Sequence, residues 1–270
     1  MPRFGSSLPK LDDVFKSHPK REVLKDLITA QRLQAIDILQ NVMPIKIVEI
    51  RNLIKQEEDP SSMFFKDQVF EVIFTDVNLQ QPSSITQDGS ERKVIVPNDL
   101  DTAQKTEGHN SPDAKIGDHW FEVLKPNPVH AECMKIVAKE LEEVHMISQN
   151  LKVWLELEIP IIEDGNSFGA DVQNHLIKEL TDVKVRSNNM SNGVRAHHSD
   201  RLKLAMDWAK YPNFQDFAEA ISKSDQYDHF LLRSYLRTIL IMYSGLLTKF
   251  ERNWPKVINP KGSHEAGAMY

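Results

Sequence analysis

IPIIEDGNSFG, residues 159–169, lies between two long segments that have helical periodicity. Pro160 cannot continue a helix, and Gly165 and Gly169 permit backbone angles that other residues resist. One helix must therefore end in this stretch, and another must begin within about ten residues. On spacing alone, the 159–169 loop is an ordinary connection between two helices.

The flanking segments carry core positions at alternating spacings of four and three residues. Before the loop, within 128–158, these positions are Val137, Leu141, Val144, Ser148, Leu151 and Leu155. In the last helix they are Leu232, Leu236, Ile239, Tyr243, Leu246 and Phe250. Weaker patterns predict helices over 170 to about 206 and over 11–57, the latter kinked at Pro44. Such seams are typical of an all-α, up-down four-helix bundle.

Polar residues predict where two of these helices begin. Asn127 is a candidate N-cap with Pro128 in the first helical position, and Ser224 or Asp225 is expected to cap the last helix. Apolar residues also lie off the main seam of the last helix: Leu231, Leu240, Ile241 and Met242. A helix that is apolar on more than one face must be buried on more than one side, which indicates an interface with a neighbouring subunit.

Residues 58–127 lack this periodicity. Turn-forming clusters such as 59–62 and 87–90 interrupt them, and two short runs, 69–74 and 94–96, are of β type. We interpret 58–127 as a long flexible insert between helices one and two of a single domain spanning 1–270. The alternative is that the insert contains a small ordered element.

Helix count alone predicts which segments lie at the same end of the bundle. In an up-down-up-down bundle, the joint between helices two and three lies at the end where helix four finishes. The 159–169 loop and the tail Met269-Tyr270 should therefore emerge together. The insert and the Tyr211-Pro212 joint should emerge at the opposite end.

Composition excludes several classes of function. The net charge is -6 and no basic cluster is present, which argues against a nucleic-acid partner. The first ten residues lack the apolar core of a secretory signal, and the most apolar helical run, 239–247, is too short to span a membrane. The single Cys133 is expected to be a buried thiol. We predict an intracellular protein with no membrane partner.

The sequence offers no specific catalytic or metal-binding pattern. No Gly-rich phosphate loop or Cys-x-x-Cys is present, so neither a cofactor nor a metal is predicted. The adjacent His197 and His198 point in different directions on a helix, and a solvated polar face is the favoured interpretation. Glu163 and Asp164 could form a carboxylate pair, but capping a helix or contacting a partner fits neighbouring loop residues better. No catalytic residue is nominated.

The 159–169 loop resembles the activation loop of the 11S proteasome activators, the REG family, which reads closely as I-P-x-I-E-D-G-N-x-F-G. The resemblance continues in Leu151-Lys152-Val153-Trp154, in Ala209-Lys210-Tyr211-Pro212 and in the terminal Ala268-Met269-Tyr270. It covers roughly residues 128–270, with a weaker match at Met43-Pro44-Ile45-Lys46. The joint between helices three and four, Ala209-Lys210-Tyr211-Pro212, is similar to that of the gamma-type branch of the family. The basic cluster found in the insert of that branch is missing here.

This resemblance implies a ring of seven subunits with a central channel, a homo-heptamer, that caps the proteasome core particle without ATP. Ala268, Met269 and Tyr270 would dock in pockets of the core's outer ring. Glu163, Asp164, Gly165, Asn166, Ser167 and Phe168 would form the loop that opens the gate. Ser167 stands where several relatives have a second Asn. The resemblance also suggests the nucleus, the cytoplasm or both as the compartment.

Arg201 and Lys203, near the end of helix three, would face the central channel, with a solvated helix face as the alternative. Two rival functions remain open. One is a helical-bundle adaptor that binds another partner through the same loop. The other is a helical hydrolase that uses His197 or Glu163.

Overall fold

The computed structural model describes residues 21–74, 124–160, 167–211, 214 and 216–260. Within them lie five α-helices, two short strands and two irregular helical turns. The helices are α1 (Arg21–Asp37), α2 (Met43–Lys55), α3 (Pro128–Glu158), α4 (Ser167–Lys210) and α5 (Asp216–Ile258). A π-helical turn, Ile38–Val42, joins α1 to α2, and a 3-10 turn, Gln56–Glu58, follows α2. The strands are β1 (Ile73–Phe74) and β2 (Leu124–Lys125).

These helices form four antiparallel columns, of which α1 and α2 together make the first. Gln31 of α1 donates to the carbonyl of Asn150 in α3 at 3.0 Å, and Lys46 of α2 contacts Glu140 at 3.1 Å. Residues later in the first column thus contact residues earlier in α3, so these two columns run antiparallel. Helices α3 and α4 are antiparallel in the same way, and so are α4 and α5. The predicted all-α, up-down bundle is therefore confirmed.

The predicted seams form the core. In α3 and α5, every seam position predicted from the four-three spacing is buried, Ser148 included. Ser148 satisfies its hydroxyl within the helix by donating to the carbonyl of Val144 at 2.8 Å. In α4, Leu176, Leu180, Val183 and Met190 are buried against them. Leu24, in the first turn of α1, is exposed.

The first column is interrupted where the sequence places Pro44. The backbone N–H of Met43 donates to the carbonyl of Ile38, five residues back, which is the hydrogen bond of a π-helical turn. Proline lacks an N–H and its ring collides with the carbonyl four residues earlier in a regular helix. The wider π turn absorbs this collision, so α2 can begin with Pro44 in its first turn.

One predicted helix start is confirmed and one is wrong. The side chain of Asn127 accepts hydrogen bonds from the N–H groups of Val129 and His130, at 3.0 and 3.3 Å, and caps α3. By contrast, α5 begins at Asp216, and Asp225 lies inside it. Asp225 is buried and paired with Arg201 of α4, and this partner on another helix holds the carboxylate within α5.

Both ends of the predicted insert pack against the bundle. Phe64 and Phe70 are buried, and Ser222 of α5 donates to the carbonyl of Phe70 at 2.5 Å. Strand β1 pairs antiparallel with β2. The described parts of 58–127, residues 58–74 and 124–127, therefore form a collar against the bundle. Flexibility of the insert stays a prediction. The remainder, 75–123, lies outside the described residues.

Cys133 is buried, as predicted, and its Sγ donates to the carbonyl of Met63 at 3.3 Å. Burial raises the pKa of its thiol to about 12, so it stays protonated.

Of the off-seam residues of α5, Met242 belongs to this subunit's own core, whereas Ile241 is 66% exposed. Among the described helices, α5 alone is long and apolar enough to cross a membrane, and here it lines the bundle core.

Candidate functional site

The residues that flank the 159–169 loop and the C-terminal tail lie at one end of the bundle, which we call the loop end. Ser167 is the first residue of α4, and the side chain of Phe168 is 67% exposed. Pro260 follows the end of α5 and lies against Gly169. The flanks thus lie together, and the shared location of the loop and the tail themselves stays a prediction. Glu163, Asp164, Gly165, Asn166 and the tail residues Ala268, Met269 and Tyr270 lie outside the described residues.

Helix α3 is anchored directly before the loop. Arg32 of α1 contacts Glu158, the last residue of α3, through two hydrogen bonds of 2.7 and 2.8 Å. The hydrogen bond and the charge of Glu158 raise the pKa of Arg32 above its ordinary value. Trp154 donates from Nε1 to the same carboxylate at 3.2 Å and packs on Phe250 of α5. Three columns therefore fix the point at which the chain enters the loop.

On the other side of the loop, the first turns of α4 are bound to the last turn of α5. The buried Gln173 donates from Nε2 to the carbonyl of Val257 at 2.9 Å. Lys256 lies with its ammonium 5.8 Å from the centre of the Phe168 ring. The point where the chain leaves the loop and the point where the tail begins are therefore joined by direct contacts.

The opposite end of the bundle, the insert end, contains a buried cluster of three histidines: His130, His197 and His229. The rings of His130 and His197 lie 4.3 Å apart, and His197 Nδ1 lies 2.7 Å from a carboxylate oxygen of Asp228. The solvated face predicted for His197 is therefore wrong, although His198 is exposed as expected. Burial of His197 follows from its partner on α5, 31 residues away, which helical periodicity does not reveal.

This histidine cluster holds the collar to the bundle. Phe70 packs edge-on against His130 and contacts His229, whose Nε2 lies 3.1 Å from the carbonyl of Phe65. The pKa of His130 is lowered to about 3, mainly by burial and next by the neighbouring His197. Burial also lowers the pKa of His229. His130 and His229 are thus neutral at pH 7. Within the described residues, no group of three or more His, Cys, Asp or Glu side chains is arranged to hold a metal ion.

Arg201 belongs to the same end and is buried, which corrects the expectation that it faces a channel. Its Nε donates to Asp225 at 3.1 Å, and its Nη2 donates to the carbonyl of Lys125 in β2 at 3.0 Å. Burial raises the pKa of Asp225, and the charge of Arg201 opposes that effect. Lys203 is exposed and pairs with Asp200 at 2.8 Å. A channel-facing role for Lys203 stays a prediction.

Comparison with known proteins places these features in a family. Residues 123–267 match the family model described as "Proteasome activator PA28, C-terminal". The chain is 25% identical over 265 residues to human proteasome activator complex subunit 3, covering 96% of this chain and 98% of that protein. It is 24% identical over 259 residues to the chicken protein of the same name, with the same coverage.

Two solved structures share the fold. The crystal structure of the 11S subunit of the Plasmodium falciparum proteasome, PA28, superimposes with a TM-score of 0.66 at 20% identity, covering 95% of this chain and 96% of that one. A chain in the crystal structure of an archaeal 20S proteasome in complex with a mutated P26 activator gives a TM-score of 0.55 at 10% identity, covering 93% and 100%. The family-model match, which spans more than half of the sequence, carries the assignment: this chain belongs to the PA28 family of proteasome activators.

Proposed function

We propose that this chain is an ATP-independent, non-catalytic activator of the proteasome core particle. Ala268, Met269 and Tyr270 dock on the outer ring of the core, and the loop residues Glu163 to Phe168 act on its gate. No cofactor takes part. The observation that carries the proposal is the convergence of the loop flank at Gly169 and the tail flank at Pro260 on one end of a bundle of this family.

The anchored flanks support a mechanical role for the loop. A loop can bias a gate toward its open state only by making better contacts with that state. Such contacts require that both ends of the loop are held rigidly by the bundle. Glu158, bound by Arg32 and Trp154, fixes one side, and Gln173, bound to Val257, fixes the other.

Exposed apolar side chains support assembly into a homo-heptameric ring with a central channel. On the first column these are Val23, Leu24, Leu27, Leu33, Ile45 and Val48, and on α5 Ile241 is exposed. A large exposed apolar surface usually marks an interface, and several copies of the chain would cover it. In a ring, weak individual tails gain from effective concentration, often by orders of magnitude. Lys203, on the exposed face of α4, is the remaining candidate for a channel-facing residue.

The relatives that are named as proteasome activator subunits also suggest the cellular compartment of this protein. We propose an intracellular location, in the nucleus, the cytoplasm or both, because an activator must share a compartment with the core particle that it caps.

The proposal is tested by hydrolysis of fluorogenic peptides by a latent core particle without ATP. Wild type should stimulate hydrolysis. Asn166→Tyr should bind the core but fail to stimulate it, and removal of Tyr270 should abolish both binding and stimulation. His198→Tyr, which places a similar ring on an exposed site at the insert end, serves as the matched control and should behave as wild type.

The adaptor hypothesis makes the opposite prediction for the C-terminus. An adaptor that binds through the 159–169 loop should tolerate a C-terminal tag, whereas a docking tail should not. Hydrolysis of peptides by this protein alone, without the core particle, would contradict the assignment as a non-catalytic activator.

A further inference from the structure

Helix α4 passes close to the residues after α5 at a glycine. A Cβ atom built on Gly169 would lie 2.5 Å from the Cα of Pro260 and 2.6 Å from its carbonyl carbon, with the carbonyl oxygen nearer still. Real side chains essentially never approach a backbone so closely. Only glycine therefore permits this crossing without displacing one of the two segments.

A buried hydrogen bond one turn further along α4 fixes the same relationship. Gln173 is 0% exposed, and its Nε2 donates to the carbonyl oxygen of Val257 at 2.9 Å. Carbonyls in the last turn of a helix lack partners within the helix, so this bond satisfies one of them. Gly169 sets how closely the two segments approach, and Gln173 sets their register along the bundle axis.

We propose that Gly169 and Gln173 are positioning residues that hold the start of the C-terminal segment at a fixed place relative to the base of the 159–169 loop. The base of the loop is then fixed against the last turn of α5, so the loop meets the partner at a defined height and angle once the tail has docked. This inference rests on the proposed function, because it assigns the loop and the tail to one binding event.

Docking and stimulation should respond differently when this contact is disturbed. Ten residues follow Pro260, and an extended chain of that length reaches about 33 Å. A displacement of about 1–2 Å at Pro260 is small against that reach, so the effective concentration of the tail should change little. Loop contacts with a gate act over hydrogen-bond distances and should be lost when the base of the loop shifts by the same amount.

The experiment compares Gly169→Ala with Gly245→Ala in the assembled full-length protein. Gly245 lies within α5, and a Cβ there meets no other side chain or neighbouring segment of the same chain within 4 Å, so it controls for replacing a helical glycine once sedimentation shows normal assembly. Gln173→Met, which keeps the side-chain length but removes the donor, is the second variant. Melting curves and sedimentation establish that each variant is folded and assembled. Binding to the core particle and peptide hydrolysis at saturation are then measured separately.

We expect Gly169→Ala to reduce stimulation at saturation at least threefold while binding changes by no more than about twofold. Gln173→Met should act in the same direction with a smaller effect, and it decides the question if Gly169→Ala does not fold. Gly245→Ala should match wild type. Unchanged stimulation by the decisive variant, or a loss that merely parallels lost binding, overturns the inference. If wild type itself does not stimulate the core particle, the proposed function fails and this inference fails with it. If wild type stimulates but the variants do not behave as expected, only this inference fails.

Discussion

Arg32 and Glu158 form a two-pronged ion pair that joins the first column to the last residue before the 159–169 loop, with contacts of 2.7 and 2.8 Å. The Arg32 side chain is 54% exposed, so solvent screens much of the attraction. The pair should therefore matter more for orientation than for stability, because the planar guanidinium fixes the direction of the carboxylate.

Replacing Arg32 with Lys should accordingly cost less than about 1 kcal/mol of stability but lower stimulation of the core particle. Lys retains the charge and loses the two-pronged geometry. Lys25→Arg is the matched control, because Lys25 lies on the same helix and its pair with Glu22 is exposed. Equal stimulation by Arg32→Lys and wild type would show that the geometry of this pair does not affect the loop.

Tyr243 places a hydroxyl in the core. The side chain is fully buried, and its oxygen has no hydrogen-bond partner among the described residues. A buried hydroxyl without a partner is destabilising, so Tyr243→Phe should stabilise the protein by about 1 kcal/mol and raise its melting temperature by about 2–4 °C. Tyr227→Phe, at an exposed site on the same helix, should leave the melting temperature unchanged. A lower melting temperature for Tyr243→Phe would imply a polar partner for this hydroxyl.

His130 should make the protein sensitive to acid. Its ring is 2% exposed, and its pKa falls from 6.5 to about 3 in the folded chain. Because the folded-state pKa is the lower one, the stabilising contribution is complete above about pH 6.5 and is lost as the pH falls toward 3. At pH 5 the loss should be about 2 kcal/mol, which lowers the melting temperature by about 4–8 °C relative to pH 7.5.

The groups that face His130 are His197, His229, Asp228 and Arg201. In His130→Leu the decrease between pH 7.5 and pH 5 should shrink, whereas the exposed His198→Leu should retain it in full. Melting curves at fixed protein concentration measure both, since assembly makes the melting temperature depend on concentration. An undiminished decrease in His130→Leu would assign the acid sensitivity to other groups.

Gly193 of α4 allows Tyr235 of α5 to pack against it. A Cβ on Gly193 would lie 2.5 Å from the Tyr235 hydroxyl oxygen but 3.5 Å from the ring carbon that bears it. Gly193→Ala should therefore lower the melting temperature by about 3 °C despite the better helix propensity of alanine. The double variant Gly193→Ala, Tyr235→Phe should recover most of that loss, because it removes the colliding atom. Additive effects in a double-mutant cycle would refute this explanation.

The sequence predicts the apolar core well and the buried polar contacts poorly. The seam positions of α3 and α5 follow from local periodicity, and Asn127 follows from the geometry of a helix start. Burial of Asp225, His197 and Arg201 depends on partners 24 to 31 residues away on facing helices. Local spacing contains no signal for such pairs, so the sequence instead predicts a cap for Asp225, a solvated face for His197 and a channel-facing position for Arg201.

The packing of the collar cannot be predicted from the sequence for a similar reason. In the described parts of 58–127, residues 58–74 and 124–127, no long helix is present, as the turn-forming cluster 59–62 indicates. That cluster does not reveal that Phe64 and Phe70 reach the core. The two aromatic residues stand in a β-type and polar context. Their burial depends on contacts with the bundle, such as those of Phe70 with His130 of α3 and His229 of α5.

The most direct test of the central claim is competition between wild type and Asn166→Tyr for a latent core particle, measured by peptide hydrolysis without nucleotide. We predict that wild type stimulates hydrolysis saturably and that added Asn166→Tyr suppresses this stimulation, because its intact tail occupies the docking sites while its loop does not open the gate. Removal of Tyr270 from the competitor should abolish the suppression. Undiminished stimulation in the presence of excess Asn166→Tyr, or stimulation by that variant itself, would contradict the division of labour between tail and loop.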